Sequence, residues 1–320
     1  MGSIVVGIDE SAGAAEALRW AAREAELRGW SLTAVLCWSY LDQHHGTAPH
    51  AFDAGYTADD ADAAARTITM RVLGEGATAV ERRTVNDVPA RGLLETSADA
   101  DLLVLGARGL GPFRSLLLGS VSQHCLHHAT VPVAIVRATA NRPIGRPRVV
   151  VGVDGSATAQ RALEWAVEEA RLRLAVVEVV HAWNPPALAV PTMALDYGIF
   201  DDAAHAIVAE ALDQVDTSGL PGPVFRVVEI GAGGRVLVDQ ADGADLVVVG
   251  SRGLGGFKGL LLGSVSQQVA YHAACPVVVI PQSEPDGPGV ARRRTVATGP
   301  SPLSGPTATE DAEGRNDHDR

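Results

Sequence analysis

Short apolar runs alternate with longer stretches of helical periodicity along most of the chain. The run Ile4–Ile8 is rich in β-branched residues, and the Ala/Leu-rich stretch after it has apolar residues at i, i+3 and i+4. Such runs are typical of buried strands, and such a period is typical of amphipathic helices. Strands that alternate with helices predict βαβ units in a parallel sheet. The pattern therefore predicts an α/β protein.

The whole pattern occurs twice, because the chain contains an internal repeat. SIVVGIDESAGAAEALRW aligns with RVVVGVDGSATAQRALEW, so that Asp9 pairs with Asp154, and ADLLVLGARGLG aligns later with ADLVVVGSRGLG. A period of this size indicates a duplicated domain rather than a solenoid. Each copy shows five strands, of which the last are Val131–Val136 and Cys275–Ile280. The sequence predicts two tandem, doubly wound, Rossmann-like sheets of parallel strands, with ligands at the carboxyl ends of the strands.

Two segments lie outside the repeat. The Pro- and Gly-containing stretch 138–146 is predicted to link a first domain, 1–138, to a second, 147–282. Residues 283–320 are polar, rich in Pro, Gly, Ser and Thr, and without periodicity, which predicts a disordered tail. Within this tail, Arg292-Arg-Arg-Thr295 resembles a site for a basophilic kinase, although short basic runs before threonine also arise by chance.

Composition narrows the classes of partner. The 320 residues are 47% hydrophobic but only 4% aromatic, so we expect cores built mainly from Ala, Val and Leu. A net charge of −12 disfavours binding to nucleic acid. No secretory signal is recognisable and no apolar run approaches roughly 18 residues, so we expect a cytoplasmic protein outside the membrane. Cys37, Cys125 and Cys275 are widely spaced, which favours reduced structural thiols over disulfides or a metal site.

A glycine-rich loop follows the fourth strand of each copy. A Gly-x-x-Gly turn is followed, after nine residues, by Gly-Ser-x-Ser; the pattern covers Gly106–Gly109 and Gly119–Ser122, then Gly250–Gly253 and Gly263–Ser266. Glycines let the backbone approach a ligand closely, and the Gly-Ser pair opens a helix whose N–H groups attract phosphate. The alternative is a plain helix cap preceded by turns. Retention of the spacing in both copies favours a phosphate site.

This spacing, after a first strand of the form VVxGxDxS, resembles the ATP-binding branch of the universal stress protein family in its tandem-domain form. The resemblance covers residues 3–136 and 147–280 but not the tail. It implies that each copy binds adenine nucleotide as ATP, and it is compatible with Mg²⁺ on the phosphates. It also implies that the last strands of the two domains pair around a pseudo-two-fold axis and that chains associate as homodimers.

The resemblance assigns roles to the residues at matching positions. The acid after strand one contacts the nucleoside beside a glycine, the end of strand two meets adenine through its backbone, and the glycine loop with the Gly-Ser segment holds ribose and phosphates. In the first copy these residues are Gly7, Asp9, Cys37, Gly106, Gly109, Gly119, Ser120, Val121 and Ser122. In the second copy they are Gly152, Asp154, Ala182, Gly250, Gly253, Gly263, Ser264, Val265 and Ser266.

Several charged residues near the loops have two interpretations. Arg108, Arg114, Arg252 and Lys258 are either phosphate ligands or solvated cations, and we include Arg108 and Arg252 among the site residues. The two aspartates are either nucleoside ligands or neighbours of helix caps formed by the serines two positions later.

Two differences between the copies predict a weaker first site. Glu10 stands where the second copy has Gly155, and Pro112 stands where it has Gly256, which removes one backbone N–H from the loop. We therefore expect the second site to bind nucleotide more tightly.

The histidines and tryptophans have ordinary explanations. His44, His45 and His50 lie in a variable loop and are expected to be solvated rather than metal-bound. Of His124, His127 and His128, only the last is retained in the second copy, which argues against a catalytic role. The paired tryptophans are predicted to be core anchors; they are Trp20 with Trp165 and Trp38 with Trp183.

Three functions remain open at this point. A nucleotide-binding regulator uses ATP to stabilise a conformation that a protein partner reads. A slow ATPase or self-phosphorylating enzyme needs a positioned nucleophile and metal ligands, and the chain lacks both the GxxxxGK[ST] loop and the kinase motifs. A scaffold with empty sites is the third. The intact motifs in both copies favour the regulator, and no motif identifies its partner.

Overall fold

The computed structural model describes residues 2–38, 56–109, 117–137, 145–185, 197–255 and 261–282. Several sequence-based expectations therefore concern residues outside the described ranges. They are the tail with Thr295, most of the linker, the loop histidines His44, His45 and His50, Arg114 and Lys258, and the Pro112/Gly256 difference. Each of these stays a prediction.

Both copies of the repeat fold into alternating strands and helices. The first copy comprises β1 (Ser3–Gly7), α1 (Ala12–Arg28), β2 (Ser31–Trp38), α2 (Ala58–Leu73), a 3₁₀ helix (Gly74–Ala79), β3 (Glu81–Asn86), α3 (Pro89–Ser97), β4 (Leu102–Gly106), α4 (Ser120–His128) and β5 (Val133–Val136). The second comprises β6 (Arg148–Gly152), α5 (Ala157–Arg173), β7 (Val176–Trp183), α6 (Tyr197–Asp213), β8 (Val224–Ile230), α7 (Gly233–Gln240), β9 (Leu246–Gly250), α8 (Ser264–His272) and β10 (Val277–Ile280). The predicted α/β class and the tandem arrangement are confirmed.

The two predicted sheets are joined into one. The strand order is β3-β2-β1-β4-β5-β10-β9-β6-β7-β8. Pairing is parallel within each copy, whereas β5 and β10 pair antiparallel with Ala134 opposite Val278. Both of these strands are fully apolar and buried. Each would otherwise leave an apolar strand edge with unpaired backbone groups, so the two edges cover one another.

The core is divided between the two faces of this sheet. Helices α1, α2, α5 and α6 pack on one face, where Leu18 and Leu163 are fully buried. Helices α3, α4, α7 and α8 pack on the other face, which carries Cys125 and Val269. The buried side chains are mostly Ala, Val and Leu, as the composition predicts. Coverage of both faces is the usual arrangement for a parallel sheet, and it leaves the carboxyl ends of the strands open.

An ionic cluster joins α1 to α5 at the junction of the two copies. It consists of Glu24, Arg28, Glu169 and Arg173. Each arginine donates hydrogen bonds to both glutamates, one from each copy. The two carboxylates are completely buried, and the side chain of Arg28 is 2% exposed. We did not predict this cluster. Its only sequence signal is a Glu-x-x-x-Arg pair at the same position of each repeat.

Tryptophans surround the ionic cluster. The Arg28 guanidinium lies 4.7 Å from the ring centroid of Trp30 and 5.0 Å from that of Trp165, and the Arg173 guanidinium lies 5.6 Å from Trp20. These distances are within the range of cation–π attraction. Trp20 is 5% exposed, and the half-buried Trp165 packs against the same core. These two tryptophans therefore anchor the junction between the copies as well as their own helices.

Candidate functional site

In the described part of the chain, each copy has a cavity at the carboxyl ends of its strands. The first encloses about 350 Å³ and the second about 390 Å³. All the site residues predicted in the first copy line the first cavity, namely Gly7, Asp9, Cys37, Gly106, Arg108, Gly109, Gly119, Ser120, Val121 and Ser122. Those predicted in the second copy line the second cavity, namely Gly152, Asp154, Ala182, Gly250, Arg252, Gly253, Gly263, Ser264, Val265 and Ser266. The structure thus brings each predicted set together.

The glycine that ends the fourth strand is required by close packing. A Cβ on Gly106 would lie 2.5 Å from the carbonyl carbon of Gly13 and 2.9 Å from the nitrogen of Ala14. A Cβ on Gly250 would lie 2.9 Å from Cγ2 of Thr158. These glycines let the end of the strand contact the first turn of α1 or α5, so they shape the cavity through the fold itself.

We expect Gly106→Ala to destabilise the protein by about 1–3 kcal/mol, because the added methyl group forces backbone atoms of α1 to move. The measurement is the free energy of unfolding in urea. Gly119→Ala is the matched control, since a Cβ at Gly119 would meet no atom closer than 3.6 Å. It should cost no more than about 1 kcal/mol, the usual effect of an alanine at a helix N-cap. Equal losses in the two variants would contradict this reading of Gly106.

The first turns of α4 and α8 point hydrogen-bond donors at the cavities. Gly119 is the N-cap of α4, and the first intrahelical bond runs from the Gln123 N–H to the Gly119 carbonyl at 2.9 Å. The N–H groups of Ser120, Val121 and Ser122 precede that bond and belong to the donors that a helix leaves unsatisfied at its start. Gly263 and Gln267 repeat the arrangement in α8 at 3.0 Å. Each cavity therefore has an electropositive helix end in its wall.

The fold does not require glycine at these two N-caps. Gly119 has φ −76° and Gly263 has φ −77°, values that any residue adopts. A Cβ at Gly263 would approach no atom closer than 3.3 Å. Neither residue provides a side-chain cap. The missing side chain leaves the helix end accessible from the cavity.

An aspartate precedes the first helix of each copy, and in the second copy it also contacts the glycine loop. Asp9 Oδ1 accepts from the Ser11 N–H at 2.9 Å, and Asp154 Oδ1 accepts from the Ser156 N–H at 3.0 Å. In the second copy, Asp154 Oδ2 also accepts from the Leu254 N–H at 2.9 Å. Ser11 and Ser156 themselves cap α1 and α5. Both serines are therefore helix caps, with an aspartate bonded to the backbone of each, and Asp154 additionally joins the start of α5 to the glycine loop.

The last serine of each motif directs its hydroxyl into the protein. Ser122 Oγ donates to the Gly106 carbonyl at 2.7 Å, and Ser266 Oγ donates to the Ser251 carbonyl at 2.9 Å. Both serines are buried. Their hydroxyl protons tie the helix start to the end of the fourth strand, so only their backbone N–H groups are placed to meet a ligand.

Apolar side chains also line the first cavity. Ala64 and Ile68 of α2, on one face of the sheet, and Leu93 of α3, on the other face, line it alongside Cys37. Burial and the negative charge of Asp87 raise the pKa of the Cys37 thiol to about 12, so this cysteine is an inert wall residue. Sequence reasoning missed the α2 and α3 residues. Their only signal is the apolar stripe of each helix, which core packing alone would also produce.

The second cavity differs from the first at the same end. Ala182 replaces Cys37, and Gly233 lines the wall at the position of Pro89. Glu10 lines the first cavity, whereas Gly155 has φ +83°, a left-handed conformation that favours glycine. The two cavities therefore share the helix end and the glycine loop but differ in several of the other residues that line them.

None of the helices within the described ranges combines the length and apolar character needed to cross a bilayer. Within the same ranges, no group of three or more His, Cys, Asp or Glu side chains is arranged to hold a metal ion.

The fold and the two equivalent cavities define a tandem α/β protein with a candidate ligand cavity in each copy. Residues 1–137 and 145–281 each match the Universal stress protein family. Universal stress protein Rv2623 of Mycobacterium tuberculosis is 35% identical over 291 residues, which cover 88% of this chain and 96% of that protein. A universal stress protein of Mycolicibacterium smegmatis is 33% identical over 294 residues, which cover 87% and 96%. The chain belongs to the universal stress protein family, in its tandem-domain form.

A solved structure supports the same fold. The crystal structure of a universal stress protein from Archaeoglobus fulgidus matches with a TM-score of 0.61 at 20% sequence identity, over 87% of this chain and 98% of that chain.

Proposed function

We propose that this universal stress protein binds adenine nucleotide, as ATP, in both cavities and acts as a nucleotide-dependent regulator in the stress response. The observation that carries the proposal is the glycine N-cap at the start of α4 and of α8, which opens unsatisfied N–H groups into a cavity in each copy. Phosphate groups are stabilised at such helix ends by both the N–H donors and the helix dipole.

The remaining surface of each cavity fits the other end of a nucleotide. Volumes of about 350 and 390 Å³ lie in the range of small-molecule sites, roughly 300–1,000 Å³. In the first cavity the apolar side chains of Ala64, Ile68 and Leu93 suit a planar base. Asp9 and the glycine loop line the same cavity and supply polar groups that can hold a ribose. Arg108 and Arg252 line the cavities and supply positive charge for phosphates.

The residues of the cavities favour binding over efficient turnover. Among the described residues that line them there is no histidine or lysine, and the carboxylates of Asp9 and Asp154 accept hydrogen bonds from the backbone of Ser11 and Ser156. Efficient phosphoryl transfer relies on a base and charged groups positioned for the reaction. We therefore assign the protein a regulatory rather than an enzymatic role, in which ATP stabilises the conformation that a partner recognises.

The domain limits, location and assembly follow as part of the same proposal. The two nucleotide-binding domains span 1–138 and 147–282, and the protein acts in the cytoplasm. Because β5 and β10 already pair within one chain, a homodimer of two chains has to use another surface. Light scattering of the purified protein, with and without ATP, tests whether such a dimer forms.

The nucleotide content of the protein tests the proposal directly. We expect protein purified without added nucleotide, or dialysed against ATP, to release about two adenine nucleotides per chain on denaturation, as counted by chromatography and mass spectrometry. One nucleotide per chain would indicate that the two cavities differ strongly in affinity, as the sequence of the first loop suggests. A protein that releases none and takes up no added ATP would contradict the proposal and favour a scaffold with empty cavities.

A further inference from the structure

One arginine connects the two candidate sites. Arg137 directly follows β5, and its guanidinium lies at the junction between the copies. Nη1 donates to the Leu117 carbonyl at 3.0 Å, and Nη2 donates to the carbonyls of Ala270 and Tyr271, the latter at 2.8 Å. One planar side chain thus holds backbone from both halves of the chain.

The three carbonyls belong to the elements that form the helix ends of the two cavities. Leu117 lies two residues before Gly119 and leads into α4, the helix whose start lines the first cavity. Ala270 and Tyr271 lie in the last turn of α8, where a helix leaves its carbonyls without partners. A cation at this end also interacts favourably with the helix dipole. The other end of α8 is Ser264, in the second cavity.

Arg137 and the second cavity lie at opposite ends of one short helix, α8. Helix α8 has nine residues and is therefore about 13 Å long. A helix of this length moves as a rigid element. A shift at its last turn is therefore transmitted to the N–H groups of its first turn.

Within the described residues, this contact is present on one side of the pseudo-two-fold axis. The position of Arg137 in the second copy is Pro281, which has no side-chain donor. One substitution at Arg137 therefore removes this contact between the two sites.

Arg137 is held in this place by backbone groups rather than by an acid. In the described part of the chain no carboxylate forms an ion pair with it, and its buried Nε has no hydrogen-bond partner. Burial lowers the pKa of Arg137, as does the positive charge of Arg108, which lines the first cavity. An anionic ligand in the first cavity would therefore neutralise positive charge next to this contact.

From this arrangement we infer that Arg137 couples the two nucleotide sites, so that occupancy of either one raises the affinity of the other. Phosphate bound at the start of α4 fixes Leu117 and, through it, the guanidinium. The guanidinium then holds α8 in the position in which its first turn meets phosphate. The second ligand consequently binds to a site that is already ordered. The inference rests on the proposed nucleotide binding.

Binding measurements on single-site variants test the coupling. Gly263→Asp leaves only the first site, and Gly119→Asp leaves only the second, so calorimetric titration with ATP gives the two separate association constants. Titration of the unmodified protein gives two stepwise association constants. The coupling factor is the product of these two constants divided by the product of the two separate constants. We expect a factor of about five to ten, within the usual range for coupled sites. In an Arg137→Gln background the same set of titrations should give a factor near one.

The variant Arg137→Lys distinguishes the effect of the contact to Leu117 and α8 from the effect of the positive charge. Lysine keeps the positive charge beside the first cavity but lacks the planar fork that reaches Leu117 and α8 together. We expect this variant to retain the affinity of the first site and still to lose the coupling. Thermal unfolding of each variant without ligand shows whether it is folded before it is titrated.

The outcomes distinguish the inference from the proposed function. Two bound nucleotides with a coupling factor near one in the unmodified protein would overturn the inference alone, as would an unchanged factor in both Arg137 variants. Absence of nucleotide binding in the unmodified protein would overturn the proposed function and the inference with it.

Discussion

Replacing Glu24 with Gln is expected to lower the free energy of unfolding by about 3–5 kcal/mol, a large share of the stability of a typical domain. Glu24 is completely buried and accepts hydrogen bonds from Arg28 and Arg173. The neutral amide cannot balance these two guanidinium groups, so positive charge remains buried without compensation. Urea denaturation followed by circular dichroism measures the loss.

The matched control is Glu16→Gln, which lies on the same helix. Glu16 pairs with Arg19, but their side chains are 37% and 41% exposed, so water replaces the lost interaction. Exposed pairs of this kind contribute roughly 0–1 kcal/mol. A loss at Glu24 that is no larger than the loss at Glu16 would show that the ionic cluster does not hold the two copies together.

Removal of the whole ionic cluster is expected to have a different effect from breaking it. Burial and the neighbouring Glu169 carboxylate raise the pKa of Glu24, against the lowering effect of Arg173 and Arg28, so the cost of burying this charge offsets much of its attraction to the two arginines. Buried ion pairs can be replaced by apolar residues of similar size at little cost to stability. A variant with Leu for both glutamates and Met for Arg28 and Arg173 should therefore recover most of the stability lost in Glu24→Gln. The cluster would then contribute mainly to the specific orientation of α1 on α5.

The fold was accessible from the sequence because its signals are local and occur twice. The apolar runs of β1 and β6, the Ser11 and Ser156 caps and the glycine loops each depend on a few consecutive residues. The repeat then removed most alternatives, since both copies had to adopt one fold. For the same reason the twenty predicted site residues all line the two cavities.

The contacts between the copies were not accessible in this way. Arg28 and Glu169 are 141 residues apart, and Arg137 is 134 residues from Tyr271. No periodicity or spacing relates such pairs, because they meet only after the two halves have folded and joined through β5 and β10. The inward direction of the Ser122 hydroxyl was also unpredictable, since it depends on the carbonyl of Gly106 at the end of a different element.

The two copies differ in sequence mainly at positions outside the shared glycine and serine motif. The helix ends keep glycine and serine, and the strand ends keep glycine, in both halves. By contrast, the position of Glu10 is occupied by Gly155 in the second copy, and the position of Arg137 is occupied by Pro281. Gly155 adopts a positive φ of +83°, whereas Glu10 lies outside that region. We interpret the shared motif as retention of phosphate binding in both copies. The residues at the rest of each cavity and at the contact between the sites have changed between the copies.

Substituting Asp for Gly119 is expected to weaken ATP binding at the first site by about 100-fold while making the protein slightly more stable. The backbone at Gly119 already has the extended conformation of an N-cap, and the cavity leaves room for a side chain. An aspartate there accepts hydrogen bonds from the first turn of α4 and complements the helix dipole, which adds about 0.5 kcal/mol. It uses the same donors that phosphate needs and repels phosphate by its charge. A loss of about 2.8 kcal/mol in binding corresponds to the factor of 100.

The Asp variants of Gly119 and Gly263 are informative because they are expected to weaken ATP binding while raising stability. A substitution that damaged the fold would lower stability and binding together, whereas occupation of a helix end that is kept open for a ligand lowers binding alone. Calorimetric titration with ATP and urea denaturation of the ligand-free protein measure the two quantities. Gly119→Asn is the control for charge, because it caps the helix without repelling phosphate and should bind about tenfold more tightly than the aspartate variant. Undiminished ATP binding in the variant that carries aspartate at both positions would show that phosphate does not lie on these helix ends, and the role of the two glycines would have to be sought elsewhere.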